Sequence, residues 1–202
     1  MAVLSIRMIG DPVLRTPAAK VTEYGPDLAR LVHDMAETMH SVNGVGLAAP
    51  QVGVGLRVFT YAMDGDEGHV VNPELIVSGG LQTGDSEGCL SVPGIGFALP
   101  RADEVVLRGF DVAGHPVHLD ATGMLARCFQ HETDHLNGRL YIDRLEGEDR
   151  RAAMRAIRHA RYSDLTTETL TKRSTKVGSA FGIGASLTKH VREHGKHGET
   201  GA

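Results

Sequence analysis

A chain of 202 residues, 41% hydrophobic and 23% charged, can bury a core without disulfide staples, which excludes wholesale disorder and a coiled-coil rod. Tryptophan is absent and aromatic residues are only 4%, so the core must be mostly aliphatic. The 21 Lys and Arg against 25 Asp and Glu give a formal net charge of −4, and no global basic field points to DNA or another nucleic acid as partner.

The opening reads as an extended arm, turned at Pro12 after Gly10-Asp11. Behind Pro26, residues Leu28, Leu31, Val32, Met35 and Met39 recur at helical spacing, which predicts an amphipathic helix over residues 26–41 with its methionines in the core. Residues 43–55, NGVGLAAPQVGVG, read as a loop of small residues. A strand over 56–61 and an exposed acidic turn at 63–68 follow. Short strands at 70–71 and 74–77 flank Asn72-Pro73, and Gly79-Gly80 marks a further turn. A second tight segment, CLSVPG, begins at Cys89. Strands at 105–110 and 116–119 are joined across 111–114. Thr122 is placed to cap a helix over 123–137, and Gly138 fits the residue just past its end. Apolar residues broaden its inner face so far that this second helix reads as buried. A third, over 147–161, is apolar only at Ala152, Met154, Ala156, Ile157 and Ala160, and carries Arg150, Arg151, Arg155, Arg158 and Arg161. Residues 1–165 are expected to form a single catalytic domain, and 166–202 a loosely ordered tail whose His190, His194 and His197 read as solvated.

The two cysteines, Cys89 and Cys128, are too few for a disulfide scaffold. No window approaches the ~18 uncharged apolar residues of a spanning helix, and the first residues lack the apolar stretch and cleavage site of a secretory signal. The expected setting is the reducing cytoplasm with no membrane partner, where a free thiolate survives as ligand or nucleophile.

Within the second helix, His131-Glu132-Thr133-Asp134-His135 is an HExxH pattern. Residues i and i+4 share a helix face, so both imidazoles can reach one divalent ion. Glu132 is turned about 100° from His131, close enough to touch an activated water without ligating the metal, which is the place of a hydrolytic general base. A catalytic site of this kind needs a third protein ligand and an open position. The candidates are Cys89, Cys128 and a carboxylate. Cys128 starts a full turn from the ion and reads as a pocket wall. Cys89 must be brought in from outside the helix by folding. Glu146, downstream of the pattern, is a further candidate but lies beyond the helix stop.

Three separated stretches appear in order: Gly44-Val45-Gly46-Leu47-Ala48-Ala49-Pro50-Gln51, Glu87-Gly88-Cys89-Leu90-Ser91 and Gln130-His131-Glu132-Thr133-Asp134-His135. With the opening Gly10-Asp11-Pro12-Val13-Leu14-Arg15, they resemble the motifs of the peptide deformylase family over about residues 5–160. The resemblance implies an α+β fold, with mixed and antiparallel sheets around a central buried helix carrying HExxH. It implies a metal-dependent hydrolase that removes the N-formyl group from the initiator methionine of newly made polypeptides and releases formate. Cys89, His131 and His135 would be the metal ligands. One divalent ion per chain is implied, Fe2+ physiologically, with Zn2+, Ni2+ or Co2+ able to substitute.

By the same resemblance Glu132 is the acid-base residue, and the Gln51 amide and Leu90 N–H hold the developing oxyanion. Glu87 pairs with an arginine, Arg101 or Arg127. Gly44, Val45 and Gly46 grip the substrate as an added strand. Val45, Leu125, Cys128 and His131 form the methionine pocket. The partners implied are N-formylmethionyl nascent peptides and, through the basic helix at 147–161, a transient ribosome contact. One departure stands out: Gly94-Ile95-Gly96-Phe97 lies where many bacterial members carry an arginine near the substrate mouth, so peptide preference is expected to differ. The alternatives are a zinc-dependent endopeptidase built on the same His131, Glu132 and His135, and a non-catalytic metal- or ribosome-binding module.

Overall fold

A computed structural model describes residues 2–63 and 65–159 of the chain. The predicted tail at 166–202 and the end of the predicted third helix lie outside the described residues.

Helix α1, Pro26–Ser41, has Pro26 and Asp27 in its first turn, where a missing N–H and a negative charge suit the helix start. It buries Leu28, Val32, Met35 and Met39. Five strands form one sheet in the order β1-β2-β3-β6-β7, from β1 (Gly46–Ala48), β2 (Val58–Met63), β3 (Asp66–Gln82), β6 (Arg101–Phe110) and β7 (Pro116–Thr122). A separate hairpin pairs β4 (Ser86–Cys89) with β5 (Val92–Ala98). Helix α2, Gly123–Leu136, and α3, Gly147–His159, complete the elements.

Several local readings change. The residues 43–55 expected as loop contain β1 and a 3-10 turn, Ala49–Val52. The two short strands expected around Asn72-Pro73, and the turn at Gly79-Gly80, belong to one 17-residue strand. Asn72 at φ 51 and Gly79 at φ 72 mark the irregularities where β3 slips register against β6. An extra residue bulges out there while pairing resumes beyond it, so a turn signature does not end the strand. Thr122 stands at the N-cap of α2 but its side chain makes no capping bond.

The expectation of mixed sheets is also corrected. Every strand pair, in both sheets, is antiparallel. Turns connect β4 to β5 and β6 to β7, and among the described residues no α-helix crosses between paired strands as parallel pairing requires. The one parallel contact among the described residues is the isolated bridge Ala19–Leu56.

Helix α2 lies across the sheet. Its Phe129 meets Phe59 at 5.8 Å and Tyr61 at 5.0 Å between ring centres, with Val70, Val105, Leu107 and Leu136 around them. Helix α1 covers the β1 end through Met35, Met39, Leu47, Val58 and Val71. A third cluster joins Cys89 and Val92 to Leu140, Tyr141, Ile142 and Ala153, so the hairpin is clamped to the segment that follows α2. That segment turns away at Gly138, which has φ +70; a Cβ there would meet the Arg15 carbonyl oxygen at 2.8 Å. Only glycine satisfies both the left-handed backbone and the close approach. Among the described residues, no helix is long and apolar enough to cross a membrane.

Candidate metal centre and active site

Every residue of α2 from Ala126 to Leu136 is buried, so its polar side chains must find partners inside the protein. His131 and His135 face each other, Nε2 to Nε2, at 3.2 Å. The end of β4 brings Cys89 Sγ to 3.2 Å from His135 Nε2. The ligand atoms of Cys89, His131 and His135 all lie within 4.8 Å of one another and all three residues are buried. This corrects the picture of a site carried by one buried HExxH helix: the helix supplies two donors, and the hairpin β4–β5 supplies the third.

Glu146 is exposed and outside the cluster. Cys128 is also outside it, its Sγ donating to the Val45 carbonyl at 3.5 Å, and burial pushes its thiol well up. The donor set fits a divalent ion, since one sulfur and two imidazoles around a common point suit the borderline metals. One orphan atom fits the same picture: Glu132 Oε2 is buried without a hydrogen-bond partner. Burial pushes the Glu132 carboxyl up to about 7, near the value that suits a proton-transfer group at neutral pH.

Gln51 is 1% exposed and anchored by its amide oxygen, which accepts the Ala48 N–H at 2.8 Å. That bond settles the orientation of the amide. Its NH2 therefore points to Ser91 Oγ at 3.3 Å and Cys89 Sγ at 3.7 Å, beside the ligand cluster. Leu90, half-buried, follows Cys89 directly. Gly44 and Val45 lead into β1, the edge strand of the large sheet, and Val45 and Leu125 are half-buried. A Cβ at Gly46 would strike the Glu132 carboxylate and Cys128 Sγ, so the absence of a side chain lets these two groups lie against the strand.

Both arginines considered for Glu87 reach it. Arg101 donates through Nε at 3.0 Å and Nη2 at 2.5 Å, and Arg127 through Nη1 at 3.3 Å. His131 Nδ1 lies 2.7 Å from Glu87 Oε1. Burial alone would favour the neutral acid, yet the hydrogen bonds from His131 and Arg101 hold the Glu87 carboxyl far below the usual carboxylate range. An ionised Glu87 can only accept, so the shared proton sits on Nδ1 and His131 presents Nε2 to a metal.

Sequence reasoning missed three neighbours. Asp134 accepts from Arg101 and Arg144. Ser91 lies between Gln51 and Cys89, with its N–H 3.4 Å from Cys89 Sγ. Tyr141 stacks on His131 at 6.3 Å and donates to the Ile95 carbonyl. Asp134 sits inside the HExxH stretch, where an acid buried between two histidines was the available signal. Nothing local to Ser91 or Tyr141 announces the contact.

Two imidazoles from one helix, a cysteine from a hairpin and a buried carboxylate with one unpartnered oxygen beside them define a metal-dependent hydrolase. The chain belongs to the polypeptide deformylase family, whose model matches residues 3–151. A peptide deformylase of Acidothermus cellulolyticus is 53% identical over 181 residues, covering 90% of this chain and 100% of that protein. The crystal structure of a peptide deformylase from Legionella pneumophila superposes with a TM-score of 0.73 at 36% identity, covering 87% of this chain and 100% of that one. One from Synechococcus elongatus, in complex with actinonin, does so with a TM-score of 0.73 at 38% identity, over 78% and 87%. The chain is a metal-dependent hydrolase that removes the N-formyl group from newly made polypeptides. The endopeptidase and binding-module alternatives fall away with that membership.

Proposed function

We propose that the enzyme works with ferrous iron held by Cys89, His131 and His135, with Zn2+, Ni2+ or Co2+ able to replace it, on formylmethionyl nascent chains in the cytoplasm. The observation that carries this reading is the buried cluster of one sulfur and two imidazole donors, a set that suits several borderline ions. A bound divalent ion would supply Lewis acidity and lower the pKa of water. Glu132, turned to the neighbouring helix face with one oxygen unpartnered, takes the proton from the attacking water and gives it to the departing amine. The Gln51 NH2 and Leu90 N–H hold the oxyanion; the anchoring of Gln51 by Ala48 supports this, because a preoriented donor costs no reorganisation.

The substrate backbone adds to the sheet edge at Gly44, Val45 and Gly46, and its methionine enters a pocket of Val45, Leu125, Cys128 and His131. The edge position of β1 supports strand addition. Residues 1–165 suffice as the catalytic domain, so a chain ending at Leu165 should turn over as the full one does. Arg150, Arg151, Arg155 and Arg158 on α3 make a transient contact with ribosomal RNA. Replacing Arg150 and Arg158 by Glu should weaken co-sedimentation with ribosomes at low salt. The central test is formate release from formyl-Met-Ala-Ser by protein loaded anaerobically with Fe2+ or with Zn2+. Higher turnover with iron is expected, and equal turnover would overturn the choice of metal.

A further inference from the structure

We propose that Asp134 and Arg144 are positioning residues for the metal centre: acting through Arg101 and Glu87, they hold the His131 imidazole in the orientation that directs Nε2 at the ion. The inference rests on the ligand set proposed above. A continuous chain of charged hydrogen bonds runs from solvent to the ligand. Arg144 donates through Nε and Nη2 to the two oxygens of Asp134, each at 2.6 Å. Asp134 Oδ2 also accepts Arg101 Nη1 at 2.7 Å. The other edge of that guanidinium, Nε and Nη2, grips both oxygens of Glu87, and Glu87 Oε1 takes His131 Nδ1. Glu87, Arg101 and Asp134 are 0%, 2% and 4% exposed, whereas the Arg144 side chain is 44% exposed.

Arg101 is the hinge of this chain. Its planar fork has two acids to serve, and each fixes the plane for the other. With Arg144 in place, Asp134 has a cation of its own. Without it, two buried carboxylates must share Arg101 and Arg127, and Arg127 is turned to Glu87 and the Leu99 carbonyl. Asp134 would then draw Arg101 away from Glu87, and the acceptor that sets the His131 ring would move. A buried acid stripped of a partner is costly in any low-dielectric site, so the rearrangement is driven.

A plainer role would be to tie the turn Tyr141–Arg144 to α2. That turn already has other anchors. Asp143 pairs with Arg15 and accepts the Leu140 N–H at 2.8 Å, and Tyr141 is fully buried. Loss of Arg144 should therefore be felt at the ligand more than in the fold.

Co2+ is the probe. The parent protein, loaded with one Co2+ per chain, should show a thiolate-to-cobalt charge-transfer band. Its absence would remove the ligand set itself, whereas failure of the relay would leave that band in place. Release of Co2+ into a chelator should then be at least about tenfold faster in Arg144→Met, the lower end expected for loss of a group supporting a ligand, with altered cobalt d–d bands. Asp143→Asn, which loses an ion pair in the same turn but touches neither Asp134 nor Arg101, should stay within about twofold of the parent, well short of that range. A release rate for Arg144→Met within twofold of the parent overturns the proposal, and so does an equal acceleration in Asp143→Asn. If the methionine variant does not fold, Arg144→Gln is judged by the same limits.

Discussion

Gly46→Ala places one methyl group between the edge strand and the two side chains that α2 presents there. The added Cβ would lie 2.9 Å from Cys128 Sγ and 2.8 Å from Glu132 Cδ, with the nearer carboxylate oxygen closer still, whereas ordinary contact begins at 3.4 Å. Cys128 Sγ must retreat by about half an ångström and the nearer carboxylate oxygen by about one, and both side chains stand on a helix buried from Ala126 to Leu136, where close packing leaves little slack. The packing cost should be about 1–3 kcal/mol, read as a melting temperature lower by about 2–10 °C. Displacing the proposed proton-transfer group by half to one ångström should also lower kcat by about 10- to 100-fold, or ~1.4–2.7 kcal/mol of barrier, given that a 1 Å misplacement costs about 100-fold. Metal content should stay near that of the parent, because neither contact is with a ligand atom. The assay is formate release from formyl-Met-Ala-Ser, alongside thermal melting and metal analysis. Adding Cys128→Ala removes the sulfur contact and should recover part of the melting temperature, but not kcat, since the carboxylate contact remains. Undiminished kcat in Gly46→Ala with a full complement of metal would refute the reasoning, because Glu132 would then be free to move without consequence.

Glu132→Gln keeps the shape of the side chain and removes the proton acceptor. Metal content should hold near one per chain while turnover falls at least about 100-fold, and either loss of metal or near-full activity would contradict the assigned role. Cys89→Ala should lose metal and activity, and Cys128→Ala should keep most of both; metal analysis showing equal loss in the two would reject the ligand set. His69 is the acceptor for the Val112 N–H at 3.1 Å, and burial holds its pKa below the ordinary value of 6.5. The unfolded chain therefore takes up this proton first. The stability His69 contributes is fully present above about pH 6.5 and is lost as pH falls through the lower folded value. Melting curves between about pH 7.5 and pH 5 should fall less steeply for His69→Gln than for the parent, and parallel curves would exclude the effect.

What the sequence determined by itself is what depends on neighbours along the chain. Helix α1 occupies the residues its apolar spacing marks, because the 3.6-residue period and the proline at its start act within one or two turns. Gly138 closes α2 for the same local reason. The i,i+4 histidines come together because any helix brings them together. Even Glu132, as a carboxylate one position round from a ligand, is placed by helical geometry alone.

Tertiary structure decided whatever needed a partner far away in sequence. Cys89 meets His135 across 46 positions: helical spacing sets Cys128 a turn away from the ion, but nothing local brings Cys89 in until β4 and β5 pair and pack on Leu140 and Tyr141. The antiparallel order of the large sheet, and the continuity of β3 through Asn72 and Gly79, depend on β6 supplying partners beyond each irregularity. The Glu87, Arg101 and Asp134 network joins three separate elements. Its residues are ordinary surface types by composition, and only burial turns them into a group whose charges must be matched in place. Local propensity has no access to that condition, since it exists only after the chain has closed around it.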